Sequence, residues 1–193
     1  MKIVARHIYH GLSGIESAMV LNETKSAREF RDNRSETCYS EVHPKELCCA
    51  NRLRGAEDLA EFIIKNYSGH VVEVGAGWRA DVALCLLKRS DLDVIVTDKQ
   101  DRSLSYLRVE KDDIFSPRTD VYQGASLLYS IRPPLELQLA MGTLAMKLGA
   151  DIIIRPLADE VAELPHFSRS LLNVGEARFY LYQPAPQSPE RHD

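Results

Sequence analysis

Two carboxylates and two glycines in this chain have the types and spacing of a nucleotide site. An apolar run ends in Glu73-Val74-Gly75-Ala76-Gly77, and the next apolar run ends at Asp98. A glycine turn at a strand's carboxyl end lets backbone amides approach a ligand closely. An acidic residue about 20 positions further on can accept from paired ribose hydroxyls. The pattern points to an adenosine-containing ligand and names no reaction. Because a carboxylate is an acceptor only, Asp98 suits hydroxyls and would repel a ribose 2′-phosphate, which disfavours NADP. A tight strand-to-helix turn without a ligand is the plainer alternative. An ionisable Glu73 ending an apolar strand nevertheless needs a partner.

Three arginines form a second group. The chain reads Ser130-Ile131-Arg132-Pro133-Pro134 and, later, Ile153-Ile154-Arg155-Pro156. This repeated I-R-P pattern places Arg132 and Arg155 at the carboxyl ends of two strands, and Arg79 opens the helix after the glycine turn. Ligands of open α/β sheets bind at that rim. Proline after each arginine stiffens the exit, and fork-shaped donors suit carboxylates and phosphates. The group implies an anionic small-molecule ligand, or an anionic substrate beside a cofactor. Neutralisation by Glu73, Glu136, Asp159 or Glu160 as structural ion pairs is the other reading.

E-x-G-x-G after a first strand resembles motif one of class I S-adenosylmethionine-dependent methyltransferases, whereas dehydrogenases usually carry an apolar residue where Glu73 stands. Over residues 55–160 the segments GAGWRADVA, VTDKQ, DDIFSP, YSIRPPLELQ and DIIIRPL together resemble a small, uncharacterised archaeal family of methyltransferase-like Rossmann proteins. The resemblance implies the fold and an S-adenosylmethionine site built from Glu73, Gly75, Gly77, Asp98 and Asp113. Asp98 would hold the ribose. Asp113 matches the position whose acidic side chain meets adenine, although Asp112-Asp113 also suits a solvated loop or a helix cap. No activity follows, because that family has no assigned reaction. Enzymes that methylate base amines carry an Asn/Asp-Pro-Pro-aromatic motif after the fourth strand. Here Arg132 and Leu135 take its polar and aromatic positions, and a guanidinium has no acceptor, so adenine-amine methylation is disfavoured.

The elements that must position these residues are legible from residue 55 onward. Ala56, Leu59, Ala60, Phe62, Ile63 and Ile64 mark an amphipathic helix. A strand over 71–74, a helix over 79–89 and a strand over 94–97 follow. Further strands are expected near 107–109, over 126–131 and over 151–154. A proline-opened helix over 134–148 is stopped by Gly149. A late strand over 177–182 joins an edge. Alternating strands and helices predict an α/β, doubly wound, mostly parallel sheet of about five to six strands, Rossmann-like and minimal. Tyr129 and Ser130 approach the rim, where they could position a substrate or simply pack. His70 and His166 lack partners at useful spacing and read as satisfied or exposed.

The chain has 193 residues, 45% hydrophobic and 27% charged, with net charge −4. It has room for one Rossmann core of roughly 120–150 residues and no separate substrate domain. The expected organisation is an N-terminal extension over 1–54, the nucleotide-binding domain over 55–183 and a disordered tail over 184–193. Residues 22–41 suit a mobile extension or an exposed helix, and Ile3, Val4, Ile8, Met19, Val20 and Leu21 could pack a short element. The acidic balance argues against a nucleic-acid partner. No apolar run has the length of a membrane span, and the start is too polar for a secretory signal. Cys38, Cys48, Cys49 and Cys85 read as reduced thiols of a cytoplasmic protein, with Cys48-Cys49 and His43 as an alternative metal corner. The function expected is S-adenosylmethionine binding, with methyl transfer to a small anionic molecule. The alternative is a non-catalytic nucleotide-binding or regulatory protein, followed by an NAD-dependent oxidoreductase.

Overall fold

The computed structural model describes residues 52–88, 91–104 and 106–186. The expectations for the N-terminal extension up to residue 51, for Cys38, Cys48 and Cys49, and for the tail from residue 187 lie outside them. Cys85 is buried and is not part of a disulfide.

The order of elements is α1 (Ala56–Asn66), β1 (Gly69–Val74), α2 (Asp81–Leu86), β2 (Leu92–Asp98), β3 (Arg108–Lys111), α3 (Thr119–Tyr122), β4 (Ala125–Ile131), α4 (Leu135–Leu148), β5 (Asp151–Arg155), β6 (Phe167–Val174) and β7 (Ala177–Pro184). The strands form one seven-stranded sheet in the order β3-β2-β1-β4-β5-β7-β6. The first five pair in parallel, and β7 and β6 are added antiparallel. The strand order reverses between β1 and β4, which is where open α/β sheets bind ligands.

Helix α1 forms because Ala56, Leu59, Ala60 and Ile63 fall on one face, which is buried. Glu57 and Asp58 in its first turn and Lys65 in its last complement the helix dipole. Residues of β1 alternate between two cores. Val71 packs with α1 and α2 on one side of the sheet, and Val72 and Val74 pack with Met141 and Leu144 of α4 on the other. Fully burying each such aliphatic side chain contributes roughly 1.5–3 kcal/mol.

Three features depart from the sequence expectations. The helix after β1 is shorter than 79–89, because Ala76–Arg79 forms a turn, with the Arg79 N–H donating to the Ala76 carbonyl at 3.4 Å, before regular geometry begins at Asp81. Ala80, the sixth position counted from Gly75, is buried at the junction, where a small side chain lets helix and strand pack closely. The sheet has seven strands, and β7 is not its edge: β6 covers it. Among the described residues no helix is long and apolar enough to cross a membrane.

Candidate functional site

The glycine turn is locked onto the end of β2. The N–H groups of Gly75 and Ala76 donate to the Thr97 carbonyl at 2.8 and 3.2 Å, and that of Gly77 donates to Asp98 Oδ2 at 2.8 Å. Gly75 and Gly77 have φ of 69° and 62°, a left-handed backbone that side chains disfavour. A Cβ on Gly75 would also meet Leu137 Cδ1 at 3.1 Å. The three amides therefore hold the turn onto the end of β2.

Beside it lies a cavity of about 470 Å³, lined by Val74, Gly75, Thr97, Asp98, Asp112 and Asp113 among others. Asp98 is 8% exposed. Its Oδ1 accepts from the Gln100 N–H at 2.9 Å, with Arg102 Nε 3.5 Å away. Each oxygen has one backbone donor, which leaves a lone pair on each for a further hydroxyl. Asp113 is exposed, and its Oδ1 accepts from the Phe115 N–H at 3.1 Å. Asp112 is structural. Buried, it accepts from Tyr122 Oη at 2.7 Å and from the Arg118 N–H at 3.0 Å. Burial, with the Asp112 carboxylate beside it, holds the Tyr122 hydroxyl well above its usual range.

Glu73 is not among the residues lining this cavity. Strand alternation sends it to the face opposite Val74, where it is 1% exposed. Tyr129 Oη donates to its Oε2 at 2.7 Å, the Ala83 N–H at the start of α2 also bonds its carboxylate, and Oε1 has no partner. Burial raises its pKa to about 7, against the lowering effect of those two hydrogen bonds. Tyr129 is fully buried, so it packs and caps rather than meeting the rim. Ser130 Oγ donates to the Val74 carbonyl at 2.6 Å.

Across the turn is a second cavity of about 450 Å³. Its lining includes Ala76, Trp78, Ile131 and five arginines: Arg52, Arg54, Arg79, Arg132 and Arg155. The three arginines named from the sequence thus line one cavity. They differ in pairing. Arg79 meets Asp81 Oδ2 at 2.8 Å, Arg54 meets Glu176 at 2.9 Å, and Arg52 pairs with Glu57. Among the described residues, neither Arg132 nor Arg155 has a carboxylate partner. One Nη of Arg155 donates to the Arg54 carbonyl, and the other, Nη1, is buried without an acceptor. Leaving such a donor desolvated costs about 1–3 kcal/mol. Burial, then the charge of Arg132, pushes the Arg155 pKa down.

Local backbone explains how two like charges come to face one rim. Arg132 has φ 58°, unusual for a residue with a side chain, and its N–H donates to the Arg155 carbonyl at 2.7 Å. The adjoining Pro133 carbonyl accepts from Nε2 of the fully buried Gln138, which also donates to the Glu160 carbonyl at 2.9 Å and accepts from the Ala162 N–H at 2.9 Å.

The sequence reading missed Gln138, Arg102 and Trp78. The Arg102 guanidinium lies 3.9 Å from the Trp78 ring centroid, a cation–π contact, and Arg102 lines the first cavity while Trp78 lines the second. The i,i+4 spacing of Asp98 and Arg102 was the available signal. His70 is satisfied by the Val121 carbonyl at 2.8 Å and Asp93. Among the described residues, no group of three or more His, Cys, Asp or Glu side chains is placed to hold a metal ion.

In overall fold the protein resembles an S-adenosyl-L-methionine methyl transferase from Silicibacter pomeroyi, with a TM-score of 0.50 at 12% identity over 67% of this chain and 90% of that one. A protein of Archaeoglobus fulgidus is 40% identical over 124 residues, 64% of this chain and 91% of its own length. Another from Methanothermobacter thermautotrophicus is 41% identical over 128 residues, 65% and 92%. Both carry the name of one uncharacterised family, whose model matches residues 56–184 here. The chain belongs to the uncharacterised protein family UPF0146.

Proposed function

We propose that the chain binds S-adenosylmethionine beside the Gly75–Gly77 turn and presents its methyl group to a small anionic molecule in the arginine-lined cavity. The observation that carries this reading is that consecutive residues of one turn serve two cavities: Gly75 lines the one with Asp98 and Asp113, and Ala76 the one with the arginines. The first cavity fits an adenosyl group. Asp98 keeps acceptor capacity for two hydroxyls, Asp113 retains a free oxygen for an amine, and Val74, Ile114 and Leu137 give an apolar wall.

When bound, the cofactor supplies an electrophilic methyl on a cationic sulfur. The chain's own contribution is to orient the two reactants, an effect that alone accounts for large rate gains when the geometry is close. Among the described residues lining the second cavity, no carboxylate is unengaged. Asp81, the carboxylate lining the second cavity, is engaged by Arg79 at 2.8 Å and accepts from the Leu53 N–H at 3.3 Å. The acceptor atom must therefore already be deprotonated, as in a carboxylate or thiolate.

That same engaged Asp81 favours the second reading, a nucleotide-binding protein without catalysis. Incubation with cofactor labelled in the methyl group, together with fractionated small-molecule extract from an archaeal cell, separates the two. Label appearing in an anionic fraction supports transfer. Binding of the cofactor with no label in any fraction supports the non-catalytic reading.

A further inference from the structure

The second cavity has an imbalance of charge that its own residues do not resolve. Three of its five arginines are paired, with Glu57, Glu176 and Asp81. Arg132 and Arg155 remain in the same wall, with no carboxylate partner among the described residues. Structural arginines are normally brought together around acids, because like charges repel and a desolvated guanidinium needs acceptors. Here the opposite is built. A left-handed residue followed by proline directs Arg132 to the rim, and a backbone hydrogen bond of 2.7 Å ties it to the strand end that carries Arg155. Residues held in sparsely populated backbone regions cluster at ligand clamps and active sites. Arg155 Nη1, buried and without an acceptor, is the donor such a ligand would satisfy.

The geometry points to a phosphomonoester site, with the phosphate held between Arg132 and Arg155 and its organic group lying against Ala76, Trp78 and Ile131. Two unpaired cations match a group that is close to a dianion at neutral pH. Three equivalent oxygens can serve two guanidinium forks at once, where one carboxylate offers two. A cavity of about 450 Å³ has room for more than the phosphate itself. Arg79 stands at the same wall and can exchange from Asp81 to the ligand. This assignment rests on the reading above only in making the phosphomonoester the methyl acceptor; anion binding itself does not require the cofactor.

The test titrates the full chain with inorganic phosphate, phenyl phosphate and benzoate at constant ionic strength. Calorimetry and the fluorescence of Trp78, the chain's one tryptophan, give the readout. Phenyl phosphate is expected to bind at one site, about tenfold or more tighter than benzoate. Arg155→Gln and Arg132→Gly should each weaken it by about tenfold or more. The glycine variant suits the left-handed backbone, so it stays folded while losing the guanidinium. Equal affinity for phenyl phosphate and benzoate, or no change in either variant, overturns the site. Equal affinity for inorganic phosphate and phenyl phosphate overturns its assignment to an ester. S-adenosylhomocysteine is titrated separately: if it binds and phenyl phosphate does not, this inference alone fails. If phenyl phosphate binds and no adenosyl compound does, the cofactor reading fails and the anion site stands.

Discussion

Asp98 Oδ2 accepts the Gly77 N–H at 2.8 Å, so the carboxylate proposed to hold the ligand also holds the turn beside that ligand. The two roles can be separated by substitution. Asp98→Asn keeps an acceptor for the turn and loses the charge and one acceptor oxygen. It should cost roughly 1 kcal/mol of stability, while adenosyl-ligand affinity falls by about tenfold or more. Thermal unfolding and calorimetry on the same sample check this. An equal affinity in Asp98→Asn would remove the ribose assignment.

Gly77→Ala tests the turn itself. A Cβ there meets nothing within 4 Å, so the cost is purely the left-handed backbone at φ 62°. The expected destabilisation is about 1–2 kcal/mol. Gly75→Ala adds contact with Leu137 Cδ1 at 3.1 Å and should cost more. Denaturant unfolding of the pair gives the order directly.

Glu73 makes stability depend on pH. Its folded pKa of about 7 lies above the ordinary carboxylate value, so between those two values the folded chain binds the proton that the unfolded chain releases. Stability is therefore highest at low pH on this account, and falls as pH rises through the interval, levelling off above about 7. The loss amounts to roughly 3 kcal/mol. Glu73→Gln cannot ionise and can still accept from Tyr129 and Ala83, so it should flatten the fall and be the more stable protein at pH 8. A wild-type profile that rises from pH 5 to pH 8, with no difference in the variant, would contradict this.

Gln138→Leu should destabilise by about 2–4 kcal/mol, because the Pro133 and Glu160 carbonyls and the Ala162 N–H would all lose a buried partner. Arg132→Gly, one residue before that network, should leave stability unchanged or raise it by up to about 1 kcal/mol as backbone strain is relieved. The contrast between neighbours is read from two melting curves.

Much of this was legible in the residues. The parallel core followed from short apolar runs separated by helical patterns, and the elements from α1 to β5 lie within a few residues of their expected bounds, except for the single turn α3, which the sequence reading did not contain. Strand β6 was not legible, because Phe167–Val174 is mostly exposed and reads as a polar loop until β7 supplies a partner. The shared wall of the three arginines followed from the I-R-P repeats and the position of Arg79. Their pairing did not, since Asp81 takes Arg79 while, among the described residues, neither Glu136, Asp159 nor Glu160 pairs with Arg132 or Arg155. Glu73 was grouped with the cavity residues on its motif alone. Strand parity carried the better signal: it shares a face with Val71, not with Val74.

The most direct test of the central claim is calorimetric titration of the purified chain with S-adenosylmethionine, S-adenosylhomocysteine and NAD, repeated on Asp98→Ala. The account predicts micromolar, one-site binding of the adenosyl compounds, weak or no binding of NAD, and loss of the signal in the variant. No adenosyl binding, or binding that survives loss of the Asp98 carboxylate, would contradict it and leave the glycine turn a purely structural link between β1 and α2.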